Sequence, residues 1–416
     1  MRVEVINTGT ELLLGHVLNT HLRFLAEALF PLGLRIGRQV TVPDGPVIRE
    51  ALLEAAARAE VVFVTGGLGP TTDDITRDVV ADWLGLELEH DAEIMRAIGE
   101  RFARRGLEMS ARVRLQAQRP RGATVLTNEH GTAPGLYLPP TARSPHLFLL
   151  PGPPRELQPM FTESVLPILE KVLPPRPAVA MRTYRTAGMG ESAVEELVGA
   201  PLLALGLEVG YCARPGEVDL RLIGGAELLA RAEEIVAARL GVQLVSRDQR
   251  ALEKVVVDLL TARGETLATA ESCTGGLLAH RITNVPGASA VFMQGFVTYA
   301  NEAKTRTLGV DAALLRAHGT VSREVAAAMA EGARASAGVD HALATTGIAG
   351  PDGGSAAKPV GTVFIAFATK LGPVIVEQHH FPTERETFKD LAAQTALDLL
   401  RRRLRLDDDP RPNPHL

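Results

Sequence analysis

Apolar, β-branched runs that stop abruptly at small or glycine-rich turns recur at both ends of this chain, and helix-patterned stretches separate them. Val61-Val62-Phe63-Val64 runs into Thr65-Gly66-Gly67-Leu68-Gly69-Pro70, and Leu147–Leu150 runs into Pro151-Gly152-Pro153-Pro154. Further on, Thr266–Ala270 runs into Glu271-Ser272-Cys273-Thr274-Gly275-Gly276, and Ala342–Thr346 into Gly347-Ile348-Ala349-Gly350. Such runs, alternating with helices, predict parallel sheets covered by helices. In sheets of that kind, ligands bind in the turns at the carboxyl ends of the strands.

The 416 residues suit two or three domains. Residues 1–174 read as an α/β domain, with strand Val3–Ile6, helix His21–Leu29 and helix Val47–Ala59 leading to the Val61 strand. Pro174, Pro175 and Pro177 mark a linker. Residues 175–247 read as a small α+β module. Its elements are strand Arg182–Thr186, helix Glu191–Val198, strand Glu208–Cys212, a turn at Arg214-Pro215-Gly216-Glu217, strand Val218–Ile223 and helix Ala226–Leu240. Residues 248–416 form a second α/β domain, with helix Leu252–Arg263, strands Thr266–Ala270, Ala290–Thr298 and Ala342–Thr346, the pair Thr362–Thr369 and Val374–Phe381, and a closing helix.

The net charge is −5 without long runs of one sign, which argues against direct nucleic-acid binding. The short run Asp407, Asp408, Asp409 reads as a solvated end. Cys212 and Cys273 are far apart, so no disulfide framework is expected and a reducing cytoplasm fits. The chain opens on a strand-like Met1–Ile6 with no export signal, and no apolar run is long enough to cross a bilayer.

Ser272 falls where a strand turns into a helix pattern that begins at Leu277. There it reads either as a helix cap or as a nucleophile facing free helix N–H groups that would serve as an oxyanion hole. A nucleophilic serine needs a base. No histidine and aspartate form a recognisable triad, but Tyr299-Ala300-Asn301-Glu302-Ala303-Lys304 follows the next strand. The lysines are Lys171, Lys254, Lys304, Lys358, Lys370 and Lys389, in a chain that otherwise uses arginine. A lysine can act as a base when its pKa is depressed, whereas arginine stays protonated. Lys304 is therefore either that base or an exposed helix-end lysine. Tyr299 either orients the proton or is a half-buried strand-end aromatic. Thr346 to Gly354, followed by Lys358-Pro359-Val360-Gly361, reads as a ligand-approaching loop or a flexible surface loop.

Together these motifs resemble the CinA family, named for competence/damage-inducible protein A. Ala270–Gly276, Val297–Lys304, Gly347–Gly354 and Lys358–Gly361 are similar to its nicotinamide mononucleotide deamidase domain. Gly9-Thr10-Glu11-Leu12-Leu13-Leu14-Gly15, Thr65–Asp74, Asn128–Gly135 and Leu150–Pro154 are similar to its molybdopterin-binding-like domain, and the middle segment to its KH-like module. For the C-terminal domain the resemblance implies hydrolysis of nicotinamide mononucleotide to nicotinate mononucleotide and ammonia, without a cofactor. Ser272 would be the nucleophile and Lys304 its base, with Tyr299, Thr346 and Arg385 in the same site. Thr274, Gly275, Gly276, Asn301, Gly347, Gly350, Gly353, Gly354 and Lys389 would bind substrate. The family's closing pair has the form Arg-x-x-x-Arg. Here it reads Arg385 to Lys389, and lysine would grip a phosphate less well than a bidentate arginine.

For the N-terminal domain the resemblance implies hydrolysis of ADP-ribose to AMP and ribose 5-phosphate with a divalent metal (Mg, Mn or Co). Gly66, Gly67, Gly69, Thr71, Asn128, Gly131, Gly152, Pro153 and Glu11 would contact substrate. Asp74, ahead of Asp73, would hold the metal. The residues alone allow a plainer reading of both aspartates, as the cap and first turn of a helix starting near Thr72. A cytoplasmic homodimer acting on small nucleotides is expected. The rival expectations are a deamidase whose N-terminal domain only binds a nucleotide or pterin, and a non-enzymatic scaffold for competence proteins.

Overall fold

The computed structural model describes residues 1–174 and 179–406. Pro175, Pro177 and the Asp407–Asp409 run lie outside the described residues. The chain forms two compact units, Met1–Ala178 and Val179–Leu416.

The first unit has strands β1 (Val3–Thr8), β2 (Ile36–Val42), β3 (Val61–Thr65), a ribbon of β4 (Leu88–His90) and β5 (Gln118–Pro120), then β6 (Thr124–Leu126), β7 (Gly135–Leu138) and β8 (His146–Leu150). The main sheet runs β2-β1-β3-β8-β7-β6. Its first four strands are parallel, while β7 and β6 add an antiparallel margin to the expected parallel sheet. The β3 run explains the central position. Val61 and Phe63 enter one core and Val62 and Val64 the other, so the strand is covered on both faces. Helix Val47–Ala56 ends before the expected Ala59, where Arg58 leaves the helix to pair with Glu4 at 2.9 Å.

The second unit opens with β9 (Ala180–Ala187), β10 (Glu208–Arg214), β11 (Glu217–Gly224) and β12 (Leu244–Ser246), an antiparallel sheet ordered β10-β11-β9-β12. Helices Glu191–Ala204 and Ala226–Leu240 bury Val194, Val198, Leu202 and Val236 against it. The first helix runs past the expected Val198, through Pro201, because Leu202 still belongs to the core.

A further sheet joins β13 (Leu267–Glu271), β14 (Phe292–Val297), β15 (His341–Gly347), β16 (Thr362–Thr369) and β17 (Ile375–His380) in the order β14-β13-β15-β16-β17. The first three are parallel, and β16 and β17 are antiparallel. Ala268, Ala270, Ala342 and Ala344 share one core with Ala326, Ala330 and Ala333 of helix Arg323–Ala337, small residues meeting small ones. The larger Leu267, Leu343, Ile365 and Phe367 pack with helices Leu252–Arg263 and Arg385–Leu406 in the other. Arg401, fully buried on that last helix, donates to the carbonyls of Val242 at 2.6 Å and Leu244 at 3.3 Å, tying the small module to the second sheet.

Adjacency of parallel strands positions both sites. β1, β3 and β8 are neighbours, so their exit turns lie side by side, as do those of β14, β13 and β15. Among the described residues no helix is long and apolar enough to cross a membrane.

Candidate active sites

Ser272 leaves the end of β13, its N–H held by the Thr345 carbonyl at 3.0 Å. Lys304 sits in helix Asn301–Leu308 and is fully buried. Its Nζ lies 3.2 Å from Ser272 Oγ, 2.8 Å from the Thr298 carbonyl and 3.2 Å from the Tyr299 carbonyl. Nζ thus faces two carbonyls and the serine oxygen, and in its neutral form the amine keeps both carbonyl bonds and can turn a lone pair toward the serine hydroxyl. Burial pushes the lysine pKa below its usual value, which favours the neutral form. Cys273, the neighbouring alternative nucleophile, is buried, and desolvation pushes its thiol up to about 12, which leaves it inert.

Ser272 is not a helix cap. The helix starts at Leu277 with Gly276 as its N-cap. Glu271, which the sequence reading passed over, supplies the cap. Its fully buried carboxylate accepts from the N–H groups of Gly276 at 2.9 Å, Leu278 at 3.0 Å and Ala279 at 2.8 Å, and from Thr274 Oγ1 at 2.8 Å. Those helix N–H groups are committed, so they do not form the expected oxyanion hole. Thr274 is fully buried and shares its hydroxyl with Glu271 and Thr345, beneath the site rather than facing a substrate. Glu271→Ala would orphan these donors and is expected to cost about 3 kcal/mol or more, at ~1–3 kcal/mol for each buried unsatisfied group. Urea unfolding checks this, and a loss under about 1 kcal/mol would contradict the capping role.

Tyr299 is 62% exposed, and its hydroxyl accepts from Arg385 Nη2 at 2.9 Å. Only its carbonyl reaches Lys304, so the phenol does not orient the serine proton. Arg385 also donates from Nη1 to the Gly350 carbonyl at 2.7 Å, pinning the glycine loop beside Tyr299. Lys389 lies one turn further along the same helix, and a Cβ at Gly275 would sit 3.8 Å from its Nζ. Thr346 donates to the Thr320 carbonyl at 2.8 Å, and Asn301 Oδ1 accepts from Thr320 Oγ1 at 2.8 Å, so both brace one wall. Gly347 packs on Thr362 and Phe388, and Gly354 on Val360. Gly350 and Gly353 turn the loop with positive φ, and Lys358 anchors it to the His318 carbonyl at 2.9 Å.

In the N-terminal unit, a cleft of about 380 Å³ opens over the exit turns of β1, β3 and β8. Glu11, Gly66, Gly67, Gly69, Asp73, Asp74, Gly152 and Pro153 line it. Gly67 is required at its position, since a Cβ there would lie 2.1 Å from Thr76 Oγ1. Helix Thr76–Leu84 starts after both aspartates and carries no side-chain cap, so neither Asp73 nor Asp74 is its cap. Asp74 instead accepts from Thr71 N–H at 2.8 Å and Thr71 Oγ1 at 2.5 Å, closing the loop on itself. Thr71 thus acts through Asp74. Asn128 and Gly131 line an adjacent cavity of about 620 Å³ that shares Thr132 with the cleft. Asn128 donates to Glu156 at 2.8 Å and accepts from Gly131 N–H at 2.7 Å. Asp44, Gln116 and Glu156 also line the cleft, and no local motif marks them in the sequence.

Among the described residues, no three His, Cys, Asp or Glu side chains converge as a preformed metal cage. Glu11, Asp44, Asp73, Asp74 and Glu156 are instead spread around the glycine turn. Magnesium-type ions are often held by one or two carboxylates, with phosphate oxygens and water completing the shell. The donor set fits that kind of ion.

Comparison with known proteins covers nearly the whole chain. Residues 4–171 match the family described as a probable molybdopterin binding domain, residues 181–243 the damage-inducible protein CinA KH domain, and residues 249–404 the CinA C-terminal domain. A CinA-like protein of Akkermansia muciniphila is 47% identical over 95% of this chain and 96% of its own length. A putative competence-damage inducible protein of Moorella thermoacetica is 45% identical over 97% of this chain and 99% of its own. A crystal structure of a competence/damage inducible protein from Agrobacterium tumefaciens is 43% identical over 36% of this chain and 91% of that one, with a TM-score of 0.35. On matches of this extent and identity, the chain belongs to the CinA family.

Proposed function

We propose that the C-terminal domain is an amidohydrolase that converts nicotinamide mononucleotide to nicotinate mononucleotide and ammonia, with Ser272 as nucleophile and Lys304 as base. The observation that carries this reading is the fully buried Lys304 amine, held by two carbonyls and 3.2 Å from Ser272 Oγ. In the first step Oγ bonds to the amide carbon while its proton passes to Nζ. The carbon–nitrogen bond then breaks, and ammonia leaves with that proton. In the second step water adds to the ester, again giving its proton to Nζ, and the acid departs as Ser272 recovers its hydrogen. Arg385 and Lys389, on one helix face beside the glycine loop, supply the cations for the substrate's phosphate.

The N-terminal domain, on the same proposal, hydrolyses ADP-ribose to AMP and ribose 5-phosphate. The carboxylates around a glycine turn support this over a domain that only binds. Asp74 and Asp73, with Glu11 or Asp44 of the same cleft, would hold a divalent ion. When bound, the ion would neutralise diphosphate charge and activate water. The chain's own part is to present the backbone of Gly66 to Gly69 to the phosphates and to fix Asp74 through Thr71. The two substrates derive from one dinucleotide, so one chain would serve one salvage task. Asp74→Ala should lower metal-dependent AMP release from ADP-ribose by about a hundredfold, as loss of a metal-supporting group does elsewhere. Unchanged release would leave the domain with a binding role only.

A further inference from the structure

Gln116 carries an unmet hydrogen bond beside the glycine turn of the N-terminal cleft. It closes the short helix Ala111–Leu115 and is 2% exposed, yet it lines the cleft together with that turn. Its mounting is firm. Arg77 Nη1 donates to the Leu115 carbonyl at 2.6 Å, and the buried Ala117 packs with Ile94, Ile98 and Val113. The side-chain amide reaches the turn itself, where Nε2 donates to the Leu68 carbonyl at 3.2 Å. Oε1 is buried and has no donor among the described residues.

The Leu68 bond fixes which end of the amide is which. Only the nitrogen can donate to a carbonyl, and turning the amide over would set two oxygens against each other. The orphan is therefore an acceptor. A buried acceptor without a partner costs the fold stability, and in a cleft it marks the place of a partner that arrives with the ligand. That partner must bring a hydrogen. A diphosphate is ionised at neutral pH and has none to give, so it belongs on the backbone N–H groups of the turn and not on Gln116. The donors nearest the phosphates in a nucleoside diphosphate sugar are its ribose hydroxyls. The acceptor is already stripped of water in the unbound fold, so a hydroxyl arriving there gains its bond without a desolvation cost on the protein side.

We propose that Gln116 is a specificity-determining residue of the N-terminal cleft: its Oε1 accepts a hydrogen bond from a ribose hydroxyl of the bound nucleotide, while its Nε2 holds the Leu68 carbonyl of the phosphate-facing turn. One side chain thus ties the position of the sugar to that of the turn. The ligand rests on the diphosphate reading of the cleft. A site built to pair a substrate hydroxyl discriminates strongly against the analogue that lacks it, so a deoxyribose counterpart should bind poorly.

The test is calorimetric binding to the full chain, with magnesium and the uncleavable α,β-methylene analogue of ADP-ribose, so that the readout does not depend on turnover. Versions of that analogue lacking one ribose hydroxyl each are compared on wild type, on Gln116→Met and on Gln116→Glu. Methionine keeps the length and removes both polar atoms, whereas glutamate keeps an acceptor oxygen. Wild type should bind one of the deoxy versions at least about tenfold more weakly than the parent. In Gln116→Met the parent should weaken by a similar factor and that deoxy version should bind within about twofold of it, because the contact is then missing from both sides. Gln116→Glu should keep the discrimination even where its overall affinity is lower. Equal binding of the parent and every deoxy version by wild type would overturn the proposal without any variant, and so would discrimination that survives in Gln116→Met. A Gln116→Met protein that only needs more magnesium, with discrimination intact, would assign Oε1 to a metal-bound water instead. If wild type does not bind the parent analogue, the diphosphate reading falls and this assignment with it. If it binds and the hydroxyls make no difference, only this assignment falls.

Discussion

Lys304→Arg should all but remove ammonia release from nicotinamide mononucleotide, by about a thousandfold or more, although it preserves the charge. The reason lies in the contact set. Nζ donates to the Thr298 and Tyr299 carbonyls and lies 3.2 Å from Ser272 Oγ, so a neutral amine there can turn its lone pair toward the hydroxyl. A guanidinium has donors only and does not deprotonate in this role. It is also wider than the fully buried space the lysine fills. The pH dependence follows from the same burial. Base catalysis needs the unprotonated amine, so the wild-type rate should rise with pH and level off below the usual lysine range, because desolvation lowers the Lys304 pKa. The folded chain binds that proton less readily than the unfolded chain. Folding stability from this group therefore rises with pH between the lowered value and the ordinary one. An active Lys304→Arg enzyme with an unshifted pH profile would rule out Lys304 as the base.

Ser272→Ala should have an effect at least as large, about 10⁴-fold or more, since nucleophile and base act as a unit. The hydroxyl is the group that forms the ester, and the alternative nucleophile next to it, Cys273, is held as a thiol by burial. The variant should fold normally. Its backbone N–H on Thr345 is kept, and the capping of the following helix belongs to Glu271. Brief mixing of wild-type protein with substrate should give an acylated Ser272 peptide by mass, absent from Ser272→Ala.

Much of the fold is legible in the sequence, because buried strands and abrupt turns are local signals. Helices His21–Leu29 and Leu252–Arg263 and strand Thr362–Thr369 have the bounds their patterns imply. The sites are less legible, and the gaps have physical causes. Glu271 caps a helix from five to eight residues upstream, outside the three-residue reach of an ordinary cap, so the adjacent Ser272 looked like the capping residue. Asp44, Gln116 and Glu156 reach the N-terminal cleft through tertiary packing, which no local spacing records. Tyr299 stands in the right motif, yet its carbonyl rather than its hydroxyl meets Lys304. His21 reads as one more helix residue until Asn7 of β1 and Thr65 of β3 surround it.

The most direct measurement is ammonia release from nicotinamide mononucleotide by the purified full chain and by Ser272→Ala, side by side. Serine–lysine amide hydrolysis requires release by the wild type, with matching nicotinate mononucleotide, and none above background from the variant. Undiminished release from a folded Ser272→Ala protein would contradict it.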